Sequence, residues 1–290
     1  MNVLIVLNYN DFKTTEEFVQ YALHLSSVNK IIIVDNCSTD NSFSNLEKLK
    51  SSKVDVISTK SNNGYAAGNN YGSFYAIKKY QPSHLLIANP DTILNDKLIN
   101  EMKLVFSSRE HVGIVSGKMR CNLGKKLPIA WKRPRYRDCV LENLIILKSI
   151  IGEKNRYCEQ YFHENIVEVE ALPGSFFMIS SHTFNDIGGF DEDTFLYYEE
   201  NILSYKLNKK GYKNYLLTNY EYIHNHSVTI DKNISSVKHK LKISEKSREI
   251  YCKKYLKVNW ILCVLLKLSF KIGLFDYLLA TNILSIIKSR

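Results

Sequence analysis

Residues 31–40 read Ile-Ile-Ile-Val-Asp-Asn-Cys-Ser-Thr-Asp, an apolar run that ends in a carboxylate and a polar turn. A run of β-branched residues bounded by turn formers is typical of a buried strand in a parallel sheet. Apolar runs of similar length occur at 3–7, 54–57, 85–88 and 112–116. The stretch at 31–40 and its counterparts therefore predict an α/β fold.

The segments between these runs have helical periodicity. Apolar residues recur at helical spacing within four segments, 14–26, 41–51, 66–80 and 95–107. Strands that alternate with helices of this length imply a parallel sheet with right-handed crossovers. The pattern loosens after Gly117, and the basic, irregular segment 120–165 is interpreted as an insertion or lid. A strand at Phe176–Ile179, a helix at Phe195–Lys210 and a helical segment over 237–290 are predicted beyond it.

Polar side chains follow each of the first four predicted strands. Ligands of open parallel sheets bind beyond the carboxyl ends of the strands, so these residues are candidates for a binding site. Each one alone is more often a turn or cap residue, and the argument depends on four such loops at one edge. The loops contain Asn8, Tyr9, Asn10 and Asp11; Asp35, Asn36 and Ser38; Asn63, Gly64 and Asn69; and Asn89, Pro90 and Asp91.

Five motifs in this order resemble glycosyltransferase family 2, especially its rhamnosyltransferase-like branch. They are VLNYND at 6–11, VDNCSTDNS at 34–42, NNGYAAGNN at 62–70, NPDT at 89–92 and GGFDEDTFLYYEE at 188–200. The resemblance implies a GT-A (Rossmann-like) domain over residues 1–230, with a mostly parallel sheet flanked by helices. Residues 231–290 are then a basic, amphipathic helical extension.

The resemblance also implies a nucleotide-sugar donor. Asp35 takes the position at which similar enzymes bind the pyrimidine N–H, a charge-assisted hydrogen bond. The alternative is a helix cap, a role that Asp40 fits better. The donor is expected to be a pyrimidine diphospho-sugar, with dTDP-rhamnose first and UDP-sugars second. The other donor-binding residues implied by the motifs are Leu7, Asn8, Tyr9, Asn36, Ser38, Asn63, Gly64, Asn69, Asn89 and Pro90.

Asp91 is implied as the contact to a divalent cation, Mg²⁺ or Mn²⁺. Such a cation neutralises the charge that develops on a departing diphosphate and prefers oxygen ligands. The family's Asp-x-Asp is Asn89-Pro90-Asp91 here, so one carboxylate is missing. His224, in the sequence His224-Asn225-His226-Ser227, is implied as a second ligand to the metal. The alternative is that it is an ordinary strand residue.

Glu200 is implied as the general base that deprotonates the acceptor hydroxyl in an inverting transfer. The family usually has Glu-Asp at this point, where this chain has Glu199-Glu200, and its next acidic residue is Ile202 here. Glu199 and Asp193 are the reserve candidates. The alternative is that the pair are solvated carboxylates, which the dipole favours at a helix N-terminus.

The positive charge is concentrated in the last part of the chain. The formal net charge is +10, and residues 231–290 hold 13 lysines and arginines against 4 acidic residues. The first 230 residues are nearly neutral, which argues against a nucleic-acid partner. Lysines flanking Trp260, Leu265, Leu268, Phe270 and Phe275 suit interfacial helices on an anionic membrane surface. The other interpretations are helices packed on the catalytic domain and a homodimer interface.

Six cysteines without metal-site spacing predict free thiols in a reducing compartment. The expected location is therefore cytoplasmic, peripheral to the inner face of the cell membrane. A glycan or lipid-linked saccharide acceptor in surface polysaccharide assembly, such as capsule, follows from the resemblance. The Lys132-Arg133-Pro134-Arg135 cluster suits either an anionic acceptor or a solvated loop. A sugar nucleotidyltransferase and a non-catalytic scaffold subunit are the rival functions.

Overall fold

A computed structural model describes residues 1–121, 128–144, 147–148, 155–225 and 236–288. Within these ranges the chain forms one nine-stranded sheet with helices packed on it. The strands are β1 (Asn2–Asn8), β2 (Lys30–Asp35), β3 (Val54–Ser58), β4 (His84–Ala88), β5 (Thr92–Ile93), β6 (Val112–Arg120), β7 (Ile166–Val169), β8 (Phe176–Ser180) and β9 (Lys213–His224). The helices are α1 (Phe12–Ala22), α2 (Ser42–Leu46), α3 (Tyr65–Tyr80), α4 (Asp96–Ser108), α5 (Tyr136–Asn143), α6 (Ser181–Asp186), α7 (Glu199–Lys209), α8 (Val237–Ile250) and α9 (Trp260–Lys288).

The sheet is parallel in its first half and mixed in its second. Its strand order is β3-β2-β1-β4-β8-β6-β9-β5, and β7 pairs with β9. Strands β1 to β4 are mutually parallel, as the sequence predicts. β8 runs antiparallel between β4 and β6, but β6 and β9 are again parallel to each other, so the sheet is mostly parallel, as expected. Asn8 lies beside Asp35 in the register of β1 and β2, which brings the loops after both strands together.

Alternating side chains of the central strands fill two apolar layers. Leu4 and Val6 point to the layer that α1 covers, and Val3 and Ile5 point to the layer that α3 covers. All four side chains are fully buried. This alternation, a property of any strand, buries both faces of the sheet beneath its helices.

The predicted insertion at 120–165 is described only in part. Residues 122–127, 145–146 and 149–154 lie outside the described residues. In the described part, Trp131 forms isolated bridges with Arg156 and Ala171. The helix α5 packs against α9, where Asn143 Nδ2 donates to Ser269 Oγ at 2.8 Å. The segment thus joins the C-terminal helices to the sheet domain.

The C-terminal segment is helical, as predicted, over its described residues. A π-helical turn at Tyr251–Tyr255 follows α8, and a break precedes α9. One side of this segment packs into a small cluster formed by Cys139, Tyr198, Ile202, Tyr251, Cys252 and Leu266. None of the described helices meets the length and hydropathy needed to cross a bilayer. The predicted domain boundary between 230 and 231 lies outside the described residues.

Candidate active site

Asp35 lies at the carboxyl end of β2, where its carboxylate is almost completely buried. Asn8 Nδ2 donates to Asp35 Oδ1 at 2.9 Å, and Ser38 donates to the carboxylate through its N–H at 3.0 Å and its hydroxyl at 2.6 Å. Asp40 lies nearer to the next helix, and its carboxylate accepts the N–H of Ser42, the first residue of α2, at 2.8 Å. The capping alternative for Asp35 is thereby weakened, and three of the roughly four acceptor positions of its carboxylate are filled.

Asn36 and Gly64 join the loop after β2 to the start of α3. Asn36 Nδ2 donates to Gly64 O at 3.1 Å and to Asn62 Oδ1 at 2.9 Å. Gly64 has a φ of +92°, and a Cβ there would lie 2.0 Å from the carbonyl oxygen of Phe195. Glycine is therefore required by both conformation and space, and the loop after β2 is set against the segment that precedes α7.

The remaining expected donor contacts are spread around the same edge. Leu7 packs against α3, since a Cβ on Gly68 would lie 2.3 Å from its Cδ1. Tyr9 is half-buried, Asn63 is exposed, and Asn69 is buried with its Nδ2 donating to Tyr65 O at 3.0 Å. Leu7 and Asn69 thus have packing roles at this edge, while Asn63 is open to solvent.

Asp91 and His224 form a buried pair at the end of the sheet. Thr92 pairs with His224 between β5 and β9, which places His224 Nε2 3.1 Å from Asp91 Oδ1. Both side chains are less than a tenth exposed. The N–H of Asn89 donates to Ser175 O at 2.8 Å, and the hydroxyl of Thr92 donates to Asn89 O at 2.8 Å. The Asn89-Pro90-Asp91 turn is therefore held at both ends, and His224 lies beside Asp91.

A carboxylate oxygen and an imidazole nitrogen at this spacing are suitable ligands for a divalent cation. In the described residues no group of three or more His, Cys, Asp or Glu side chains could enclose a metal. Mg²⁺ and Mn²⁺ at phosphate sites need only one or two protein ligands, because phosphate oxygens and water complete the shell. The pair therefore fits a metal bound together with a diphosphate, rather than a cage made by protein alone.

Glu199 and Glu200 begin α7 behind a loop with an unusual conformation. Tyr197 and Tyr198 have φ values of +70° and +68°, and the carbonyl of Tyr198 accepts the N–H of Ile202 at 3.0 Å to start the helix. Glu199 is buried, while Glu200 keeps an accessible part and accepts the N–H of Gly174 at 3.3 Å. Glu200 is consequently the member of the pair that can reach a substrate.

The surroundings of this pair disfavour two negative charges. Burial, followed by the charge of Glu200, raises the pKa of Glu199 to about 8. Burial also raises the pKa of Glu200. Two neighbouring carboxyl groups in such surroundings hold a proton at neutral pH, which suits a base that must accept one. The alternative of solvated helix-end carboxylates does not describe Glu199.

The loop Ala171–Ser175 connects these groups, and the sequence motifs did not single it out. Tyr65 donates its hydroxyl to Gly174 O at 2.7 Å, and the hydroxyls of Ser175 and Tyr222 are 2.8 Å apart. Tyr222 lies near both Asp91 and Glu200, whose charges, after burial, contribute to its raised pKa. The Pro173-Gly174 dipeptide signals a turn, but its long-range partners are visible only in the fold.

Asp193, Asn70 and Ile202 lie near the carboxylate pair in sequence or in space and make contacts of three different kinds. Asp193 is exposed, and its carboxylate contacts Lys254 Nζ at 2.7 Å. Asn70, which the sequence did not single out, accepts the N–H of Phe190 at 2.8 Å and so anchors the loop before α7. Ile202 replaces the family's acidic residue with a fully buried side chain that packs in the cluster with Tyr198.

The chain is similar to proteins of known family and fold. The hexosyltransferase Agl10 of Haloferax volcanii, described as acting in low-salt glycan biosynthesis, is 26% identical over 209 residues. That match covers 72% of this chain and 62% of the relative, so the chain spans less than two thirds of the relative's length.

Two solved structures show the same fold at low identity. The mannosyltransferase PcManGT from Pyrobaculum calidifontis, solved with GDP-Man and Mn²⁺, has a TM-score of 0.58 and 13% identity, covering 97% of this chain and 75% of that chain. S. aureus TarS 1-349, solved with UDP-GlcNAc, has a TM-score of 0.56 and 16% identity, and the match covers 95% of this chain and 80% of that chain. The sheet and its flanking helices are thus a GT-A type α/β fold. The model of the family named "Glycosyl transferase family 2" matches residues 3–157, more than half of the chain, and the chain belongs to that family.

Proposed function

We propose that this protein is an inverting glycosyltransferase that uses a pyrimidine diphospho-sugar as donor. The observation that carries the proposal is the convergence of three groups at one edge of the sheet. These are the Asp35 loop, the Asp91–His224 pair and the Glu199–Glu200 pair, which the Ala171–Ser175 loop and Gly64 connect. They supply a nucleotide contact, a diphosphate contact and a base, the three parts that a glycosyl transfer requires.

The donor side of the site is formed by Asp35 and its neighbours. The open acceptor position of its buried carboxylate can take a pyrimidine N–H in a charge-assisted hydrogen bond. The Asn89-Pro90-Asp91 sequence favours dTDP-rhamnose, as in the rhamnosyltransferase-like branch, with UDP-sugars second. The UDP-GlcNAc bound in TarS supports a pyrimidine donor, whereas the GDP-Man bound in PcManGT shows that the fold also accepts a purine.

The diphosphate side of the site is formed by Asp91 and His224. The Mn²⁺ bound in PcManGT supports a divalent cation, Mg²⁺ or Mn²⁺, held by these two side chains. When bound, such a cation neutralises the charge that develops on the departing diphosphate. Asp91 and His224 orient the diphosphate, and their burial excludes water from the bond that breaks.

Transfer is a single displacement. The acceptor hydroxyl attacks the anomeric carbon as Glu200 takes its proton, the bond to the diphosphate oxygen breaks, and the configuration inverts. The accessible part of Glu200 and its raised pKa suit it to this role. Glu199, buried beside it, stays protonated at neutral pH and so leaves Glu200 as the carboxylate that acts.

The acceptor is a glycan or a lipid-linked saccharide of surface polysaccharide assembly, met at the inner face of the cell membrane. One side of α9 packs on the protein, and the other exposes an apolar stripe that includes Ile261, Val264, Leu268, Ile272 and Phe275. Exposed lysines at 267 and 271 lie on the same helix. An anionic membrane surface matches both the apolar stripe and the charge, and a homodimer through the same stripe is the competing outcome.

Thermal shift with a panel of nucleotide sugars, with and without Mn²⁺ or Mg²⁺, tests the donor site. A ligand at about 100 times its dissociation constant stabilises the folded state by about 2.7 kcal/mol. We expect a metal-enhanced shift with dTDP- or UDP-sugars, followed by release of the nucleoside diphosphate. Glu200→Gln should keep the shift and lose turnover by about 100-fold or more. Donor binding without turnover in the wild type would favour a scaffold, equal turnover in Glu200→Gln would remove Glu200 from the role of base, and nucleotidyl transfer to a sugar phosphate would favour the other rival.

A further inference from the structure

We infer that the C-terminal extension is part of the catalytic apparatus, with Arg248 positioning the segment from which the proposed base projects. This inference rests on the proposed function. It concerns residues 236–259, which follow α7 in the chain but are separated from it by β9. The contacts lie at both ends and in the middle of the segment 191–198.

The backbone of this segment requires outside support. Tyr197 and Tyr198 both have φ in the left-handed region, which residues with bulky side chains rarely adopt. Such conformations persist only where surrounding contacts over-determine them, and they are frequent at functional sites. The carbonyl of Tyr198 accepts the first hydrogen bond of α7, so the conformation of Tyr198 sets where the helix begins and where Glu199 and Glu200 lie.

Arg248 supplies that support from α8. It is 8% exposed, and its Nε donates to the hydroxyl of Tyr198 at 3.1 Å. The same hydroxyl donates to the carboxylate of Glu142 on α5, and Arg248 Nε lies 3.4 Å from that carboxylate. The Arg248 guanidinium also lies over the Tyr198 ring, 5.3 Å from its centroid. A planar fork can make these contacts together, which a lysine ammonium cannot.

Further contacts fix the rest of the segment. Lys254 Nζ contacts the carboxylates of Asp191 and Asp193 at 2.9 and 2.7 Å, and the hydroxyl of Tyr255 donates to Asp191. Although burial opposes it, the hydrogen bonds from Tyr255 and Lys254 lower the pKa of Asp191. In the middle of the segment the hydroxyl of Ser247 donates to Leu196 O at 2.9 Å. The extension therefore contacts the segment 191–198, which leads to the proposed base, along its whole length.

Two mild variants test the positioning role. Tyr198→Phe removes only the hydroxyl that Arg248 and Glu142 share and keeps the packed ring. Arg248→Lys keeps the positive charge beside the carboxylates of Glu142 and Glu245, which Arg248 contacts at 3.4 and 3.3 Å. We expect each to lower kcat about tenfold or more, because small displacements of a reacting group are costly. The KM for the donor and the affinity for nucleotide should stay within about twofold, since neither variant alters a residue of the proposed donor side.

Leu266→Ala is the matched control. Its side chain is fully buried in the same cluster but does not contact Tyr198 in any hydrogen bond. Assayed below its melting temperature, it should retain the wild-type kcat despite the cavity that it introduces. If Leu266→Ala loses as much kcat as Tyr198→Phe, or if Tyr198→Phe and Arg248→Lys keep the wild-type kcat, the inference is wrong.

Hydrogen exchange separates this inference from the proposed function. The amides of residues 197–203 should exchange faster in Tyr198→Phe and Arg248→Lys than in wild type and Leu266→Ala. This measurement needs no substrate. If wild type releases no nucleoside diphosphate from any donor, the proposed function fails while the exchange data still decide the positioning role. Equal exchange in all four proteins would overturn the inference whatever the activity.

Discussion

Replacing Glu199 by glutamine tests whether the carboxyl pair is as buried as the structure indicates. Burial and the charge of Glu200 raise the pKa of Glu199 from 4.5 to about 8. Between these pH values the unfolded chain releases the proton and the folded protein keeps it. The pKa is higher in the folded state, so this contribution to wild-type stability is complete below about pH 4.5 and is lost as pH rises towards about 8.

Linkage gives the size of the effect. The free energy of unfolding of the wild type falls by up to about 1.4 kcal/mol for each pH unit. The total loss between about pH 5 and about pH 8 is about 3.5 kcal/mol. Glu199→Gln has nothing to ionise at this position and escapes the loss. The new amide group occupies the place of Glu199 Oε2, which has no hydrogen-bond partner among the described residues. Any cost of burying that amide is the same at every pH. The diagnostic result is therefore a change with pH in the difference between the unfolding free energies of the variant and the wild type.

The assay is urea unfolding of three proteins at several pH values between about 5 and 8. The free energy of unfolding of Glu199→Gln should rise relative to wild type as pH increases. Glu17→Gln, which removes an exposed carboxylate on α1, is the control and should follow wild type. A wild-type-to-variant difference that stays constant over this range would refute the burial of the pair.

Three further predictions concern other parts of the molecule. Gly64→Ala should lower the free energy of unfolding by about 2–4 kcal/mol in urea, because it adds a clash with Phe195 O to the strain of a positive φ. Gly211→Ala has the same strain and open space around it, and equal losses would contradict the clash. Asp91→Asn should abolish the effect of Mn²⁺ on the nucleotide thermal shift and keep the metal-free shift; retention of the metal effect would assign the metal to other ligands. Ile272→Glu should prevent co-sedimentation with anionic vesicles, unlike Leu104→Glu on α4, whose side chain is equally exposed; unchanged sedimentation together with loss of a dimer would favour the homodimer.

The parallel half of the fold could be predicted because its strands are continuous apolar runs. The runs at 31–34 and 85–88 consist of apolar residues alone, and each is followed by a polar turn. The sequence of β8 predicts a strand but not the direction in which it runs, because the same apolar pattern suits parallel and antiparallel pairing. β9 was not predicted as a strand, because its sequence, KNYLLTNYEYIH, mixes Asn, Thr and Glu with its apolar residues.

The candidate site residues come from local motifs. Asp35 and Asp91 follow strands and Glu200 begins a helix, so their near neighbours in sequence are enough to single them out as candidates. Gly174 and Arg248 could not be found in this way, because each acts on a residue that is distant in the chain. Arg248 also belongs to a basic segment that suggests solvated charge, and only the packing of α8 shows that it is buried.

The buried link between Arg248 and Tyr198 has a consequence for biosynthesis. Domains generally fold from the N-terminus as the chain leaves the ribosome, and β1 to β4 are complete by residue 88. The turn at Tyr197 and Tyr198 has no partner from α8 until about 50 more residues have been made. A nascent chain can therefore form the sheet edge that carries Asp35 early. If Arg248 positions the segment before α7, as we infer, the carboxylate pair reaches its final arrangement only after α8 has emerged and docked.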